Sequence, residues 1–490
     1  MRKKLAFVVI GLVLIAAGLF ASGYRLALDG SGKVPRFVTK VDFDALEADR
    51  ARQSLDSQGS LGTSHTVATL PEPPAAAVSN TAAEAATSQL VAQSAVGENP
   101  SPGATWSDFR GPNRDGRYAA TGIRTSWPRE GLRRLWKQPV GGGYASFVVA
   151  DGRAFTIEQR RDREVVAAYD VQSGRELWTN GWTANFQEGM GGDGPRATPT
   201  YHDGRIYALG AEGELRVLDA AKGALVWRRN ILTENGASNL SWGMSASPLI
   251  VDDKVVVLPG GTRGSSIVAY NRSTGDVAWK SLNDEQGYTS PMLVTLAGVR
   301  QILIVSATRA MGVTVNDGRL LWEYPWSTFN GINVSQPIVF QHNGNDRIFL
   351  SASYGTGAAV FEMARSGERF QTKTIWENQR MKNKFSSSVL HNGFIYGLDE
   401  SILACLDANT GEQKWKGGRY GYGQIMLAGD HVIVLTEDGE VVLVKATPER
   451  HEEIARFEAL SGKTWNHPII VNGRLLVRNI QEMAAFDIGL

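Results

Sequence analysis

One spaced motif constrains the fold of this chain more than any other feature of its sequence. Asp, or a residue in its place, is followed four residues later by Gly and four residues after that by Trp. The five copies with identical spacing are Asp170-Gly174-Trp178, Asp219-Gly223-Trp227, Asn271-Gly275-Trp279, Thr314-Gly318-Trp322 and Asp407-Gly411-Trp415. When Trp136 and Trp376 are included, consecutive Trp residues of the series lie 39 to 54 residues apart. A period of about 40 to 50 residues is typical of the blades of a β-propeller.

Each repeat also carries a β-hairpin pattern upstream of the motif. Turn pairs such as Asp203-Gly204 and Asn392-Gly393 separate short apolar runs, and such pairs favour two-residue hairpin turns. A further alternating run precedes the Asp position, and another strand ends at the Trp. Each repeat is therefore predicted to form four antiparallel strands, which is the content of one blade.

The number of repeats predicts the size of the ring. Seven repeats end at Trp178, Trp227, Trp279, Trp322, Trp376, Trp415 and, in degenerate form, Phe457. An eighth begins at Trp465 and is one strand short, but the segment Leu132–Gln138 around Trp136 can supply that outer strand and close the ring. Residues 127–490 shared among eight blades give about 45 residues per blade. We predict an all-β, eight-bladed propeller, with seven blades as the alternative.

The repeated residues are predicted to have structural roles. The Trp side chain can bury a large area between adjacent blades, and Gly permits a turn with positive φ. The Asp side chain can accept hydrogen bonds from the backbone amides of the turn. These positions are accordingly assigned to the framework and not to a binding site.

The N-terminus predicts export. Arg2, Lys3 and Lys4 precede the uncharged run Leu5–Tyr24, which is long enough to cross a bilayer as a helix. The run is interpreted as a signal anchor, or as a signal peptide if it is cleaved. The propeller would then lie in the periplasm or outside the cell, anchored to the inner membrane, or be secreted after cleavage.

The predicted organisation has three parts. Residues 1–24 form the signal anchor or signal peptide, and residues 106–490 form the propeller. Residues 25–105 between them form a tether that is rich in Ala, Ser and Pro and has too few large apolar residues to build a core. Within the tether, no role is assigned to residues 34–55.

Composition excludes several classes of protein. The formal net charge is +1, so the chain lacks the basic excess that a nucleic-acid-binding protein needs. The single Cys, Cys405, excludes a disulfide framework and a Cys-based metal or haem site. Because Cys405 alternates with core residues in a predicted strand, it is interpreted as a buried thiol.

The repeat resembles that of a known propeller family. The pattern of Ala, Asp two residues on, then Gly and Trp at spacings of four is similar to the tryptophan-docking repeat of pyrroloquinoline quinone (PQQ) type propellers, and the similarity covers residues 106–490. Phe109–Gly116, at the start of this region, resembles the opening of many exported members. That family includes quinoprotein dehydrogenases as well as non-catalytic propellers such as the outer-membrane protein assembly factor.

A ligand site is predicted where the segments before the innermost strands converge on one mouth of the central channel. Cations and indoles there suit a planar, anionic ligand. The candidate cofactor-binding residues are Trp242, Lys384, Trp465, Lys382, Asn466 and Arg196. The resemblance also implies a calcium site of acidic and amide groups in the quinoprotein enzymes, for which the candidate residues are Glu188, Asp193 and Asn333.

Two functions remain open from the sequence. The favoured one is a non-catalytic binding or assembly scaffold of the cell envelope, tethered to the membrane, whose partners are envelope proteins or a small anionic ligand. The alternative is a PQQ-dependent alcohol or sugar dehydrogenase with PQQ and Ca²⁺ in the central funnel. The single Cys favours the scaffold, because the quinoprotein enzymes that this chain resembles share a ring-stacking vicinal disulfide. No catalytic residue is assigned.

Overall fold

The computed structural model describes residues 13, 15–22, 24–27, 36–39, 44–50, 52, 104–119 and 122–490. The predicted tether lies mostly outside these residues, and so does half of the predicted span Leu5–Tyr24. Residues 15–21 and 44–50 are helical, and a two-stranded hairpin pairs Tyr24–Ala27 with Arg36–Thr39. Within the described residues, no helix combines the length and the hydrophobicity needed to cross a membrane.

The remainder of the described chain forms an eight-bladed propeller, as the repeats predict, and the seven-bladed alternative is wrong. Each blade is an antiparallel sheet of four strands, numbered here in chain order by the innermost strand and given from the centre outwards. Blade 1 consists of Val148–Ala150, Arg153–Arg160, Arg163–Asp170 and Glu176–Thr183, and blade 2 of Thr200–His202, Arg205–Leu209, Glu214–Asp219 and Leu225–Asn230. Blade 3 consists of Leu249–Val251, Lys254–Val257, Ile267–Asn271 and Val277–Ser281, and blade 4 of Met292–Leu296, Val299–Val305, Arg309–Val313 and Leu320–Pro325. Blade 5 consists of Ile338–His342, Asn345–Ala352, Gly357–Ser366 and Arg369–Asn378, and blade 6 of Val389–His391, Phe394–Asp399, Ile402–Asp407 and Gln413–Arg419. Blade 7 consists of Gln424–Ala428, His431–Leu435, Glu440–Lys445 and Glu453–Glu458, and blade 8 of Ile469–Val471, Arg474–Arg478, Glu482–Asp487 and Arg134–Pro139.

The ring is closed by the two ends of the propeller sequence. Arg134–Pro139 is the outer strand of blade 8 and pairs with Glu482–Asp487, with Trp136 opposite Ala485. This is the strand that the sequence predicts to complete the last blade. Because the outer strand comes from the start of the propeller, blade 8 has a full set of strands and the ring has no gap.

Five of the repeated Trp residues dock their blade onto a Gly of the next blade. The ring of Trp178 in blade 1 lies against Gly223 in blade 2, where an added Cβ would be 2.4 Å from the ring. The indole Nε1 donates a hydrogen bond to the Ala220 carbonyl at 3.1 Å. The same pairing joins Trp136 to Gly174, Trp227 to Gly275, Trp279 to Gly318 and Trp376 to Gly411. Gly is therefore required at these positions for two reasons: the backbone has a positive φ, and the Trp ring occupies the space of a side chain.

The Asp position of the motif has the predicted role. Oδ1 of Asp219 accepts hydrogen bonds from the backbone amides of Ala221 and Lys222 at 3.0 and 2.8 Å. Asp407 binds the amides of Asn409 and Thr410 in the same way. These bonds hold the turn whose Gly receives the ring of the preceding blade.

The interface between blades 4 and 5 departs from this pattern. The turn between the two long outer strands of blade 5 carries no Asp-Gly motif to receive Trp322. The Trp322 indole donates instead to Oε1 of Gln301 within its own blade, at 2.5 Å. Tyr324 stacks on Phe361 of blade 5 with the ring centroids 4.1 Å apart, so an aromatic pair replaces the docking turn.

A segment that precedes the first blade occupies the channel. Residues 106–118, called here the channel plug, enter beside the innermost strand of blade 1, where Trp106 lies opposite Val149. They leave beside the innermost strand of blade 7, where Arg117 and Tyr118 pair in parallel with Leu427 and Ala428. No role is assigned to Phe109–Gly116 from the sequence, and this stretch forms the middle of the plug.

Two buried Arg residues fix the plug to several blades. The guanidinium of Arg114 donates to the carbonyls of Pro248 and Pro291 at 2.5 and 2.9 Å. These two residues directly precede the innermost strands of blades 3 and 4. The guanidinium also pairs with Asp108 at 2.9 Å. Arg110 donates to the Ser388 carbonyl of blade 6 at 2.8 Å, and burial lowers its pKa to about 10. The plug thus braces the ring from the inside.

Candidate functional site: a central funnel

A cavity of about 430 Å³ lies at the channel mouth, where the sequence places the candidate site. It is referred to here as the funnel. Its wall consists of Phe109, Tyr144, Met190, Gly191, Arg196, Trp242, Ser245, Ser247, Tyr288, Phe329, Asn330, Ile332, Val334, Tyr354, Lys384, Phe385, Ser387, Gln424, Trp465 and His467. Phe109 belongs to the channel plug, which therefore bounds the funnel on its inner side. A cavity of this size can hold a small molecule or a few side chains.

A single offset explains how most blades contribute to the wall. The residue four positions before the first residue of the innermost strand lines the funnel in seven of the eight blades. These residues are Tyr144, Arg196, Ser245, Tyr288, Val334, Phe385 and Trp465. Blade 7 differs because Tyr420 at this offset donates to Glu453 at 2.8 Å, and Gln424 lines the wall instead.

Polar residues two positions before the innermost strands link the blades behind the wall. The amide of Ser247 donates to Ser290 Oγ at 2.9 Å, and the amide of Ser290 donates to Gln336 Oε1 at 2.6 Å. The backbone amide of Gln336 in turn donates to Ser387 Oγ at 3.0 Å. This relay fixes the spacing of blades 3 to 6 around the funnel.

Aromatic rings form much of the wall. Trp465 lies between Tyr144 and Phe385, with ring centroids 5.2 and 4.6 Å away. Trp242 and Tyr288 form a second pair at 5.9 Å. Trp465 is also held from behind, because its Nε1 donates to the buried carboxylate of Glu437 at 3.2 Å. The wall is thus an apolar, pre-organised surface suited to a flat or apolar group.

Two cations lie among these rings. Lys384 Nζ is 4.6 Å from the ring centroid of Tyr422 and 5.2 Å from that of Phe385. Arg196 lies 5.6 Å from the Tyr144 ring, and its guanidinium donates to backbone carbonyls of the loop that precedes it. Burial lowers the pKa of Arg196, which nearby acidic groups partly offset. The described wall contains no carboxylate, so its formal charges are positive.

The predicted cofactor-binding set is therefore only partly assembled. Trp242, Lys384, Trp465 and Arg196 line the funnel, whereas Lys382 and Asn466 do not. Lys382 lies 3.9 Å from Asp399 in an ion pair within blade 6. The buried Nδ2 of Asn466 donates to the Gly143 and Ala145 carbonyls, so this residue braces the segment before blade 1.

The three candidate calcium ligands do not meet on the wall. Glu188 accepts hydrogen bonds from the amides of Met190 and Gly191, and Asp193 accepts one from the Glu188 amide. Asn333 is buried and donates to the Ser306 carbonyl at 2.8 Å. Across the described ranges, no cluster of three or more His, Cys, Asp or Glu side chains is arranged to hold a metal ion.

Several wall residues were not assigned from the sequence. Tyr144 and Phe385 share the offset described above, which would have identified them once the strand starts were known. Tyr354 follows the second strand of blade 5, and Met190 and Phe329 lie in loops between blades, so no repeated position marks them. Phe109 reaches the funnel through the channel plug, which has no counterpart in the repeats.

The fold and the funnel together define a PQQ-like β-propeller of eight docked blades. Residues 161–417 match the family model described as outer membrane protein assembly factor BamB. Because this match spans just over half of the 490 residues, the chain belongs to that family.

Individual proteins show the same similarity. The chain is 22% identical over 370 residues to an outer membrane protein assembly factor BamB of Burkholderia pseudomallei, covering 67% of this chain and 92% of that protein. The crystal structure of BamB from Moraxella catarrhalis matches with a TM-score of 0.50 and 16% identity, covering 73% of this chain and 98% of the other. A quinohemoprotein alcohol dehydrogenase from Pseudomonas putida HK5 matches with a TM-score of 0.58 and 14% identity, covering 79% and 81%. At such identities the solved structures share the fold with this chain, and function has to be argued from the site.

Proposed function

We propose that this protein is a non-catalytic scaffold of the cell envelope that takes part in the assembly of outer membrane proteins. The observation that carries the proposal is membership of the BamB family, together with an alignment that covers 92% of the Burkholderia pseudomallei protein. A shared architecture over nearly the whole length of a relative favours a shared type of role more than a match to a few blades would.

The chemistry of the funnel favours binding over catalysis. A general acid–base mechanism needs a titratable side chain within reach of the reacting atoms. The described wall offers no carboxylate and no thiol; its titratable side chains are Lys384, three tyrosines and His467. Burial raises the pKa of Tyr288 to about 12 and holds that of His467 well below the usual value. Cys405 is buried in blade 6, where burial raises the pKa of its thiol to about 12. The aromatic and cationic wall is better suited to holding a partner than to transforming one.

The proposed location follows from the sequence. Residues 1–24 would insert as an anchor, or direct secretion if they are cleaved, and residues 25–105 would tether the propeller on the far side of the inner membrane. A long tether lets the propeller reach partners at a distance from its anchor.

A PQQ-dependent oxidoreductase is the second candidate, because an aromatic wall with cations suits a planar, anionic cofactor. PQQ would supply a two-electron redox centre when bound. The residues expected to hold its calcium ion fit poorly: the carboxylate of Glu188 binds backbone amides of its own loop, and Asn333 does not reach the wall. The scaffold is therefore the function that the site supports best.

Deletion of the gene in its own organism tests the scaffold directly. We expect a lower yield of folded outer membrane proteins, measured by electrophoresis of unheated envelope samples, and restoration by the wild-type chain. An unchanged yield would contradict the scaffold. In parallel, the purified full chain is mixed with PQQ and Ca²⁺ and passed through gel filtration. Quinone absorbance that stays with the protein, together with dye reduction by alcohols or sugars, would establish the second candidate instead.

A further inference from the structure

We propose that the funnel binds an extended polypeptide segment that inserts an aromatic side chain and places a carboxylate beside it. This rests on the proposed scaffold function and specifies the chemistry of the partner. Four features of the funnel lead to it: one open end, an exposed apolar rim, cationic wall residues and neutral polar groups near the mouth.

The first feature is the closed inner end. Phe109 of the channel plug lies on the funnel wall, and its ring is 6.0 Å from that of His467 in blade 8. Arg110 and Arg114 hold the plug to the innermost parts of blades 3, 4 and 6. A partner therefore enters and leaves through the mouth, and the funnel accepts a protruding side chain better than a chain threaded through the ring.

The second feature is the rim. Phe329 and Met190 line the funnel and yet are 73% and 45% exposed. Phe329 belongs to the 3-10 turn Phe329–Gly331, which projects between blades 4 and 5. A small molecule enclosed by the wall would leave these side chains in water, whereas a chain that continues past the mouth would cover them. The rim thus favours a partner larger than the cavity.

The third feature is charge. Lys384 and Arg196 lie on the wall, and Lys463 lies 4.3 Å from the ring of Trp465. The described wall carries no acidic side chain, and the carboxylates of Glu188 and Glu437 near it accept hydrogen bonds from backbone amides and from the Trp465 indole. Charge complementarity therefore selects a segment with an acidic group near the inserted ring.

The fourth feature is the set of neutral polar groups. Asn330, Ser245 and Gln424 line the funnel among the aromatic residues. Ser245 Oγ already donates to the Tyr288 carbonyl at 3.0 Å, and Gln424 Nε2 donates to the Phe385 carbonyl at 2.9 Å. Their oxygens can accept from the backbone amides of a bound segment, and an amide such as that of Asn330 can both donate and accept. An extended peptide has such groups at every residue, and a compact aromatic anion does not.

Isothermal titration calorimetry of the full chain with short peptides tests the proposal. The probe is acetyl-Gly-Ser-Glu-Tyr-Glu-Gly-Ser-amide, and the controls replace Tyr by Ala or both Glu by Lys. We expect the probe to bind and each control peptide to bind at least tenfold more weakly. No measurable heat with the probe at millimolar concentration would overturn the proposal, as would equal binding of either control.

Matched variants locate the binding. Phe329→Ser and Lys384→Met should each weaken binding of the probe at least fivefold. Val277→Ser is the control, because Val277 is 48% exposed on the outer strand of blade 3, away from the funnel. Equal weakening by Val277→Ser, or no weakening by Phe329→Ser, would overturn the proposal.

A small-molecule arm separates the peptide from a compact ligand. N-acetyl-tyrosine carries an aromatic ring and a carboxylate but no extended backbone, so it should bind at least tenfold more weakly than the peptide probe. Binding as tight as that of the peptide would overturn the peptide proposal in favour of a small-ligand site. These results are independent of the deletion experiment: failure of peptide binding with an assembly defect rejects only this inference, whereas absence of the defect rejects the scaffold.

Discussion

Trp residues at the circumference and at the centre of the ring are placed by different rules. Trp178 at the circumference packs on Gly223 and donates to the Ala220 carbonyl of the next blade, and this arrangement recurs around the ring. Trp242 and Trp465 at the centre line the funnel beside other aromatic rings and have no repeated partner. Positions that repeat from blade to blade therefore hold the blades together, whereas positions whose residue differs from blade to blade line the funnel.

The largest expected effect comes from removing a circumferential ring. Trp227→Ala should lower the free energy of unfolding by about 3–5 kcal/mol, because it empties the contact with Gly275 and removes the bond to the Arg272 carbonyl. Trp242→Ala, in the partly exposed funnel wall, should cost less than about 1 kcal/mol. Urea unfolding of both variants checks the pair. Equal losses would remove the distinction between the two regions.

The channel plug provides a second test, because it lies at the centre but has a structural role. Arg114 is 3% exposed and satisfies the Asp108 carboxylate and several backbone carbonyls. Arg114→Met should lower the free energy of unfolding by about 3 kcal/mol, since it leaves a carboxylate without its ion pair. The exposed Arg129→Ala should change it by less than about 0.5 kcal/mol. Thermal unfolding that is the same for both variants would contradict the bracing role of the plug.

The circumference and the centre of the ring also differ in how much of their structure can be predicted from the sequence. The blade count, the ring closure and the docking role of Trp follow from the repeat, because the same spacing of Asp, Gly and Trp recurs along the chain. The plug could not be predicted, since Arg110 bonds a carbonyl 278 residues away and nothing local marks that contact. For the funnel, four of the six candidate cofactor-binding residues line the wall, whereas Lys382 and Asn466 lie outside it. Asn466 adjoins Trp465 but donates to backbone carbonyls before blade 1, and Lys382 pairs with the Asp399 carboxylate. Sequence alone does not define where each strand starts.

A pH effect tests the buried edge of blade 1. Burial raises the pKa of Glu164 from 4.5 to about 7, despite the hydrogen bond that it accepts from the Ala211 amide. Between these pH values the folded state holds a proton that the unfolded state has lost, so stability falls as pH rises through this window, by up to about 3 kcal/mol. Glu164→Gln should remove this loss. The difference between wild type and variant at pH 5 and at pH 8 isolates Glu164, because the His residues titrate in both. A constant difference would contradict the raised pKa of Glu164.

The smallest expected effect separates the two requirements for Gly in the docking turn. Gly223 and Gly204 have φ of +70° and +72°, but an added Cβ meets the Trp178 ring only at Gly223. Both Ala variants should pay for the left-handed backbone, by about 1–2 kcal/mol. Gly223→Ala should lose about 1–2 kcal/mol more, because the ring must move. Coinciding urea midpoints of the two variants would mean that backbone conformation alone explains the requirement for Gly at position 223.

We infer that the circumference holds the ring together, and we propose that the funnel binds the partner. The most direct measurement compares the double variant Trp242→Ala, Phe329→Ser with wild type, by thermal unfolding of the purified chain and by rescue of the deletion strain. We expect a melting temperature within about 3 °C of wild type and a failure to restore folded outer membrane proteins. Full rescue by this variant, or a loss of stability as large as that of Trp227→Ala, would contradict it.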